Sequence, residues 1–300
     1  MKDRDIVNEI VKIVPSAKFT FDGDDCVSAV FTNPASTFYG VLRLYPSSEK
    51  MRVLRYVSDL ENLQYLDLRK NKLLKVDLGL CNLRHLDLGS NYLGVVPSWM
   101  RGNKLQFLNL GVNELAVLPD WFGEFSGLRI LKLHKNRISD FSVLSGMMDL
   151  RELNLYFNKV GDIPGFIFYF GEMRFFSWGM SSLGILPEEI GMWKRLEYLS
   201  LVGNRLRFLP DSLCGCSEMV GMRLCKNMLE YLPERIGDLK KLREISLYKN
   251  RLTCLPDSFD FLKLKKCNLA GNLLGGDVVV KSDWFAISES DLDWSWIKSY

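Results

Sequence analysis

The sequence predicts an α/β fold: a right-handed repeat solenoid, or horseshoe, with a parallel sheet on its concave face and turns, extended chain or short helices on its convex face. Three observations predict it. The phrase Leu-x-x-Leu-x-Leu-x-x-Asn recurs in ten copies, some imperfect, ending at Asn71, Asn91, Asn113, Asn136, Asn158, Ser181, Asn204, Asn227, Asn250 and Asn272. Successive copies stand 20, 22, 23, 22, 23, 23, 23, 23 and 22 residues apart. A period of about 20 to 29 residues is that of units too short to bury their own apolar side, which must therefore stack. Finally, a Val-Pro, Leu-Pro or Ile-Pro pair follows most copies, at Pro97, Pro119, Pro164, Pro187, Pro210, Pro233 and Pro256. Proline holds the returning chain extended where a regular helix cannot start.

Taken in order, residues 1–62 lack the phrase and are read as an N-terminal cap. A helix ends at Pro15, and the segments Lys18 to Phe21 and Val27 to Thr32 flank Asp22-Gly23-Asp24-Asp25 as a hairpin. Val41 to Tyr45 and Met51 to Val57 are read as a second strand pair. Residues 63–274 hold the ten repeats. In the seventh, Leu199 and Leu201 alternate with Tyr198, Ser200 and Val202, the period of a short strand with its leucines inward. Asn204 follows where the chain turns, and its amide is suited to backbone groups of adjacent turns, so stacked asparagines form a ladder. Leu206, Leu209, Leu213 and Cys216 are inward positions of the return. Each strand buries several leucines at roughly 1.5 to 3 kcal/mol apiece. Nine steps of about 4.8 Å give a sheet on the order of 45 Å long. Residues 275–300 are read as a C-terminal cap, with Val278 to Lys281 a last strand and Asp291 to Tyr300, which holds Trp294 and Trp296, a closing helix.

The sixth copy departs from the pattern. Phe176 and Trp178 replace inward leucines, and Ser181 replaces the asparagine. Larger side chains must displace neighbours or widen the curve, so a local bend or a break in the ladder is expected between the fifth and seventh repeats.

Composition narrows the function. Thirty-nine Lys and Arg against 36 Asp and Glu leave a net charge of +3 without a block of one sign, which argues against a nucleic-acid or anionic-membrane binder. The first fifteen residues lack a secretory apolar core, and no apolar run approaches membrane-spanning length, so a soluble protein is expected. Seven cysteines form an odd set without a flanking cap pattern, and no Asn-x-Ser/Thr occurs. Both features favour reducing surroundings and a cytoplasmic location.

The repeat phrase with its following Leu-Pro, in segments such as LPEEIGMWKRLEYLSLVGNRLRFLP, resembles the leucine-rich repeat family of 22 to 23 residue type. It looks most like the intracellular scaffolds and the bacterial effectors of that family. The fourth copy, reading NRISDFSVL, is more similar to phosphatase-regulating repeats. The resemblance covers Leu63 to Leu274 and implies protein binding. Bacterial ubiquitin-ligase relatives add a Cys-x-Asp nucleophile; none of the cysteines here is followed two residues later by Asp.

Candidate binding residues come from the outward strand positions. Tyr65, Phe107, Ile130, Tyr156, Phe157, Phe175, Tyr198, Arg223 and Tyr248 are assigned to partner binding, most of them in an aromatic stripe on the concave face. Exposed aromatics on a rigid sheet are the ingredients of a hot spot; the alternative is cross-strand packing between neighbours. Arg223, Lys226, Lys249 and Lys266 form a basic end and Asp67 and Asp87 an acidic one, with solvated charge as the default. On the convex side Trp121, Phe166, Phe168 and Tyr169 suggest a second contact or packing over turns. His85 beside Asp87 has no nucleophile or oxyanion donor with it. Cys214 and Cys216 lack the further ligands zinc requires. No catalytic residue, metal or cofactor is therefore expected. The reading is a noncatalytic recognition module or scaffold holding a protein partner on the concave sheet, a monomer or weak dimer. The alternatives are an exported effector acting on a host signalling protein in the host cytosol, or a self-associating structural protein.

Overall fold

A computed structural model describes residues 2–31 and 47–275. The chain divides into two compact units, Met1–Lys159 and Val160–Tyr300, and each is built on the same repeating plan.

The first unit opens with helix α1 (Asp3–Ile13), whose Ile6, Val7 and Ile10 are buried. A hairpin follows, β1 (Lys18–Asp22) antiparallel to β2 (Asp25–Val30). It is tied to the helix by the Cys26 amide, which donates to Asp3 Oδ2 at 2.7 Å. The segment read as a strand at Met51 to Val57 is instead helix α2 (Ser47–Ser58), which packs on α1. Its buried Val53, Leu54 and Val57 recur at the spacing of one helix face, which overrides the partial alternation of Met51, Val53 and Val57. Val41 to Tyr45 lies outside the described residues, as does the C-terminal cap from residue 276 onward.

From β2 the sheet continues parallel through three-residue strands, β3 (Tyr65–Asp67), β4 (His85–Asp87), β5 (Phe107–Asn109), β6 (Ile130–Lys132) and β7 (Glu152–Asn154). The second unit repeats this with β8 (Phe175–Ser177), β9 (Tyr198–Ser200), β10 (Gly221–Arg223), β11 (Glu244–Ser246) and β12 (Lys266–Asn268). Within each unit the register puts equivalent residues of successive repeats side by side. The returning segments form 3-10 turns of three to five residues, such as Asp120–Glu124 and Asp211–Gly215, most of them entered from a proline in extended conformation, with Ser142–Gly146 and Ile236–Asp238 entered from Phe141 and Arg235 instead. Repeats of this length leave no room for a longer helix. The inward leucines of the strands, Leu66, Leu86, Leu108, Leu131 and Leu153 in the first unit, are wholly buried.

The asparagines form the expected ladder. Asn91 donates through Nδ2 to Leu68 O (3.1 Å) and Leu88 O (2.8 Å), while its Oδ1 accepts from the Asn71 and Leu73 amides at 3.0 Å each. Asn204 makes the equivalent bonds to Trp178 O, Leu201 O and the Ser181 and Leu183 amides. The residue before each of these positions takes a left-handed backbone, with φ from 53 to 68° at Lys70, Ser90, Val112, Lys135, Phe157, Met180, Gly203, Lys226 and Lys249. For a β-branched or bulky residue that conformation costs about 1 to 2 kcal/mol, and at most of these turns the side-chain hydrogen bonds of the asparagine that follows hold it in place.

In the sixth repeat Ser181 reaches only its own turn, donating through Oγ to Gly179 O at 3.1 Å. Phe176 and Trp178 are fully buried. Room for them comes from a local aromatic core: the Phe176 ring meets Trp193 edge-on at 4.9 Å, Trp193 lies 5.2 Å from Phe168, and Trp178 Nε1 donates to Gly161 O at 3.0 Å. Of the two readings open for Phe168, contact or packing, the structure takes packing: Phe168 is core, leaving Tyr169 exposed beside it.

Candidate functional site

The outward positions of the strands make columns in each unit. In the first, the register aligns Tyr65, His85, Phe107, Ile130 and Glu152. Strand spacing of about 4.8 Å brings neighbouring rings into contact. Tyr65 and His85 stack with centroids 4.0 Å apart and His85 and Phe107 at 3.9 Å with planes 4° apart. Lys132 Nζ caps the stack 5.3 Å from the Phe107 centroid. Phe107 is only 9% exposed, so the stack presents ring edges rather than open faces. Burial, reinforced by Arg69 and Lys132, pulls the His85 imidazole down to about 4, and it is neutral at pH 7.

The adjacent column, Asp67, Asp87, Asn109 and Lys132, overturns the solvated reading of its two acids. Asp67 and Asp87 are 1% and 4% exposed. Each accepts from the amide two residues on, Asp67 from Arg69 N at 3.1 Å and Asp87 from Gly89 N at 2.9 Å. Asn109 and Asn154 do the same for Gly111 and Tyr156, so the position is a turn-closing acceptor first. Arg69 Nη2 lies 2.8 Å from Asp67 Oδ2 and Asn109 Nδ2 donates to Asp87 Oδ1 at 3.0 Å. Burial, with the Asp87 charge beside it, still lifts Asp67 to about 6; burial also raises Asp87. A third column holds Arg69, Gly89, Gly111, His134 and Tyr156. Gly111 is required there, because a β-carbon would stand 2.2 Å from the His134 ring. Burial draws His134 down to about 4 as well. Tyr156 is half-buried and tilts against Phe157, 6.2 Å away, whose left-handed backbone leaves its ring 50% exposed.

In the second unit Phe175 and Tyr198 are register partners. Phe175 is buried and Tyr198 half-buried. Arg223 occupies the neighbouring column, between Ser200 and Ser246 in register. Tyr248 stands one column further, with Lys249 Nζ 5.1 Å from its ring. Lys266 is matched by Glu244 at 3.5 Å. The structure thus places Tyr65, Phe107 and Ile130 in one column, Tyr65 and Phe107 linked through His85 and Ile130 the register partner of Phe107, joins Tyr156 with Phe157 and Phe175 with Tyr198, and sets Arg223 and Tyr248 in two further columns of the second unit. Phe107 and Phe175 lie lower than an exposed stripe requires, because cross-strand packing takes up their faces.

Among the described residues no group of three or more His, Cys, Asp and Glu side chains is arranged to hold a metal ion, and no helix is long and apolar enough to cross a membrane. Cys214 and Cys216 are buried free thiols, raised by that burial to about 11.

Sequence reasoning missed an exposed apolar series in the second unit: Ile185, Phe208 and Tyr231, each immediately before a Leu-Pro pair. Its signal is a period of 23 residues at that one position.

The family model described as Leucine Rich Repeat matches residues 82–103 and 195–216. A leucine-rich repeat protein of Leptospira interrogans is similar in structure, with 26% identity and a TM-score of 0.58 over 74% of this chain and 70% of that one. The ectodomain of the Arabidopsis receptor kinase HAESA, solved with a peptide hormone ligand, matches at 22% identity and a TM-score of 0.72 over 91% of this chain, which spans 49% of that ectodomain. An internalin of Listeria monocytogenes matches at 17% identity and a TM-score of 0.65, over 91% of this chain and 83% of its own. No curated protein sequence is significantly similar.

Proposed function

The chain is a leucine-rich repeat protein, and from that premise we propose that it is a noncatalytic recognition module that holds a polypeptide partner on the outward strand positions. The observation that carries this reading is the packing of the first unit's sheet face, where Tyr65, His85 and Phe107 are locked ring against ring. Side chains already ordered lose little entropy on binding, so their contact area converts efficiently into affinity. Tyr156 and Phe157 extend that surface with an exposed ring on a fixed backbone. In the second unit Tyr198, Arg223 and Tyr248 supply the amphipathic side chains that recur in hot spots. The peptide-bound state of the Arabidopsis ectodomain favours a polypeptide as the class of ligand. Catalysis is disfavoured by the stacking of His85, whose two faces are covered by Tyr65 and Phe107.

Affinity capture with the full chain tests the reading. Wild type retains a partner protein; a Tyr65→Ala, Tyr156→Ala, Phe157→Ala triple variant and, separately, a Tyr198→Ala, Tyr248→Ala variant lose it or hold it much more weakly. Retention of the same partner at unchanged affinity by both variants, with normal folding, removes the sheet face as the site.

A further inference from the structure

The two sheet faces differ in charge. Across the three outward columns of the second unit and the left-handed position before each asparagine stand Arg223, Lys226, Lys249 and Lys266. Against them is one acid, Glu244, which Lys266 matches at 3.5 Å. The same positions of the first unit hold four cations against Asp67, Asp87 and Glu152, so that face is nearly balanced. The borders of the second face do not restore the balance. On one side Glu197 is held by Arg174 at 3.1 Å, with Arg243 and Lys265 beyond it in the same row. On the other, Arg205 and Arg251 are exposed and their row holds no acid. An excess of one sign on an ordered face attracts a segment of the other.

The chain carries such a segment. Residues 283–297 hold Asp283, Glu289, Asp291 and Asp293 and neither lysine nor arginine, with Trp284, Phe285, Trp294 and Trp296 among them. They lie outside the described residues, which end at 275, close after β12 (Lys266–Asn268). The stretch from Asn272 to Asp283 reaches up to about 36 Å at about 3.3 Å per residue, while Arg223 stands two strands from β12, about 10 Å at a spacing of about 4.8 Å. A segment so tethered meets the face at an effective concentration on the order of 1 mM, enough for contacts that are weak one by one. Arg223 has Ser200 and Ser246 as register partners and Gly221 on its own strand. Small neighbours beside a guanidinium suit a stacked tryptophan.

We propose that residues 283–297 of this chain dock on the basic sheet face of the second unit, their carboxylates against Arg223, Lys226, Lys249 and Lys266, in place of closing the end of the core. The opposite signs select this occupant for this face, and the balanced face of the first unit offers it no comparable hold. A partner that uses Arg223 exchanges with the segment there.

Zero-length carbodiimide cross-linking of the full chain, read by peptide mass spectrometry, tests this, because it joins only a carboxylate and an amine already in contact. Expected are links from Asp283, Glu289, Asp291 or Asp293 to Lys226, Lys249 or Lys266 that do not change with protein concentration and fade at about 1 M salt. Hydroxyl-radical footprinting adds a readout that survives substitution. Trp284, Trp294 and Trp296 should react several-fold faster in a Lys226→Glu, Lys249→Glu variant, whose two positions are exposed, than in wild type. Combining that variant with Glu289→Lys, Asp291→Lys and Asp293→Lys should restore the slow reaction, and circular dichroism melting checks that the variants fold. Links confined to lysines elsewhere overturn the proposal, as do links that rise with concentration, which a second copy would give. Tryptophan reactivity that the Lys226→Glu, Lys249→Glu variant leaves unchanged overturns it as well. None of these measurements uses a partner, so their failure does not touch the partner-binding reading.

Discussion

The sheet faces of the two units share a backbone and differ in the last residue of each strand. In the first unit that column reads Asp67, Asp87, Asn109, Lys132, Asn154; in the second it reads Ser177, Ser200, Arg223, Ser246, Asn268. One face buries two carboxylates and carries two half-buried imidazoles in the flanking columns, while the other is lined mainly by small hydroxyls around one arginine. The comparison separates two kinds of residue. Leucines and asparagines dictate the coil, and the outward positions are left free to set charge and shape.

Breaking the coil should have the largest effect, and unequally. Asn91→Ala in the first unit removes the five hydrogen bonds of that side chain and strands buried amides and carbonyls, costing about 3 to 5 kcal/mol. Ser181→Ala in the second removes a single bond within one turn, costing about 0.5 to 1.5 kcal/mol. Chemical denaturation of both variants measures the gap; equal losses would mean that the ladder contributes nothing beyond a local turn.

Acid titration sharpens the contrast between the faces. His85 and His134 have folded values of about 4, below the usual imidazole range. Their contribution is therefore full above about pH 6.5 and is lost as pH falls through about 4. Asp67, at about 6, has the opposite sign: its contribution is full below about pH 3.9 and is lost as pH rises through about 6. His85→Phe, which keeps a stacked ring, should lessen the acid loss, and Asp67→Asn should lessen the loss between pH 4 and 6 on the way up. Melting temperatures across that range read both. Substitutions at Ser200 or Ser246 should leave the pH profile unchanged.

The smallest effect on stability should come from Phe157→Gly. It relieves a left-handed backbone at φ 58° and leaves stability unchanged or higher by up to about 1 kcal/mol, while partner binding weakens. A variant that loses stability and keeps its partner would show Phe157 to be structural.

Much of this was legible in the sequence. The strands stand where the leucine phrase put them because alternation and a fixed period admit one register, and the asparagine ladder follows from the same repeat. The burial of Asp67 and Asp87 was not legible: a strand pattern assigns them outward without telling how far Arg69 and Asn109 lie across them. The stacking of His85 between Tyr65 and Phe107 depends likewise on three repeats at once. Helix α2 was misread because Met51, Val53 and Val57 satisfy alternation until Leu54 is counted with them. The exposed residues before Leu-Pro were not singled out, although their period of 23 residues matches that of the core.

Hydroxyl-radical footprinting of the partner-bound chain tests the sheet-face reading most directly. Protection is predicted at Tyr65, Tyr156, Phe157, Tyr198 and Tyr248, with Tyr169, Met192 and Phe261 on the returning segments unchanged. Protection confined to those last three would contradict it.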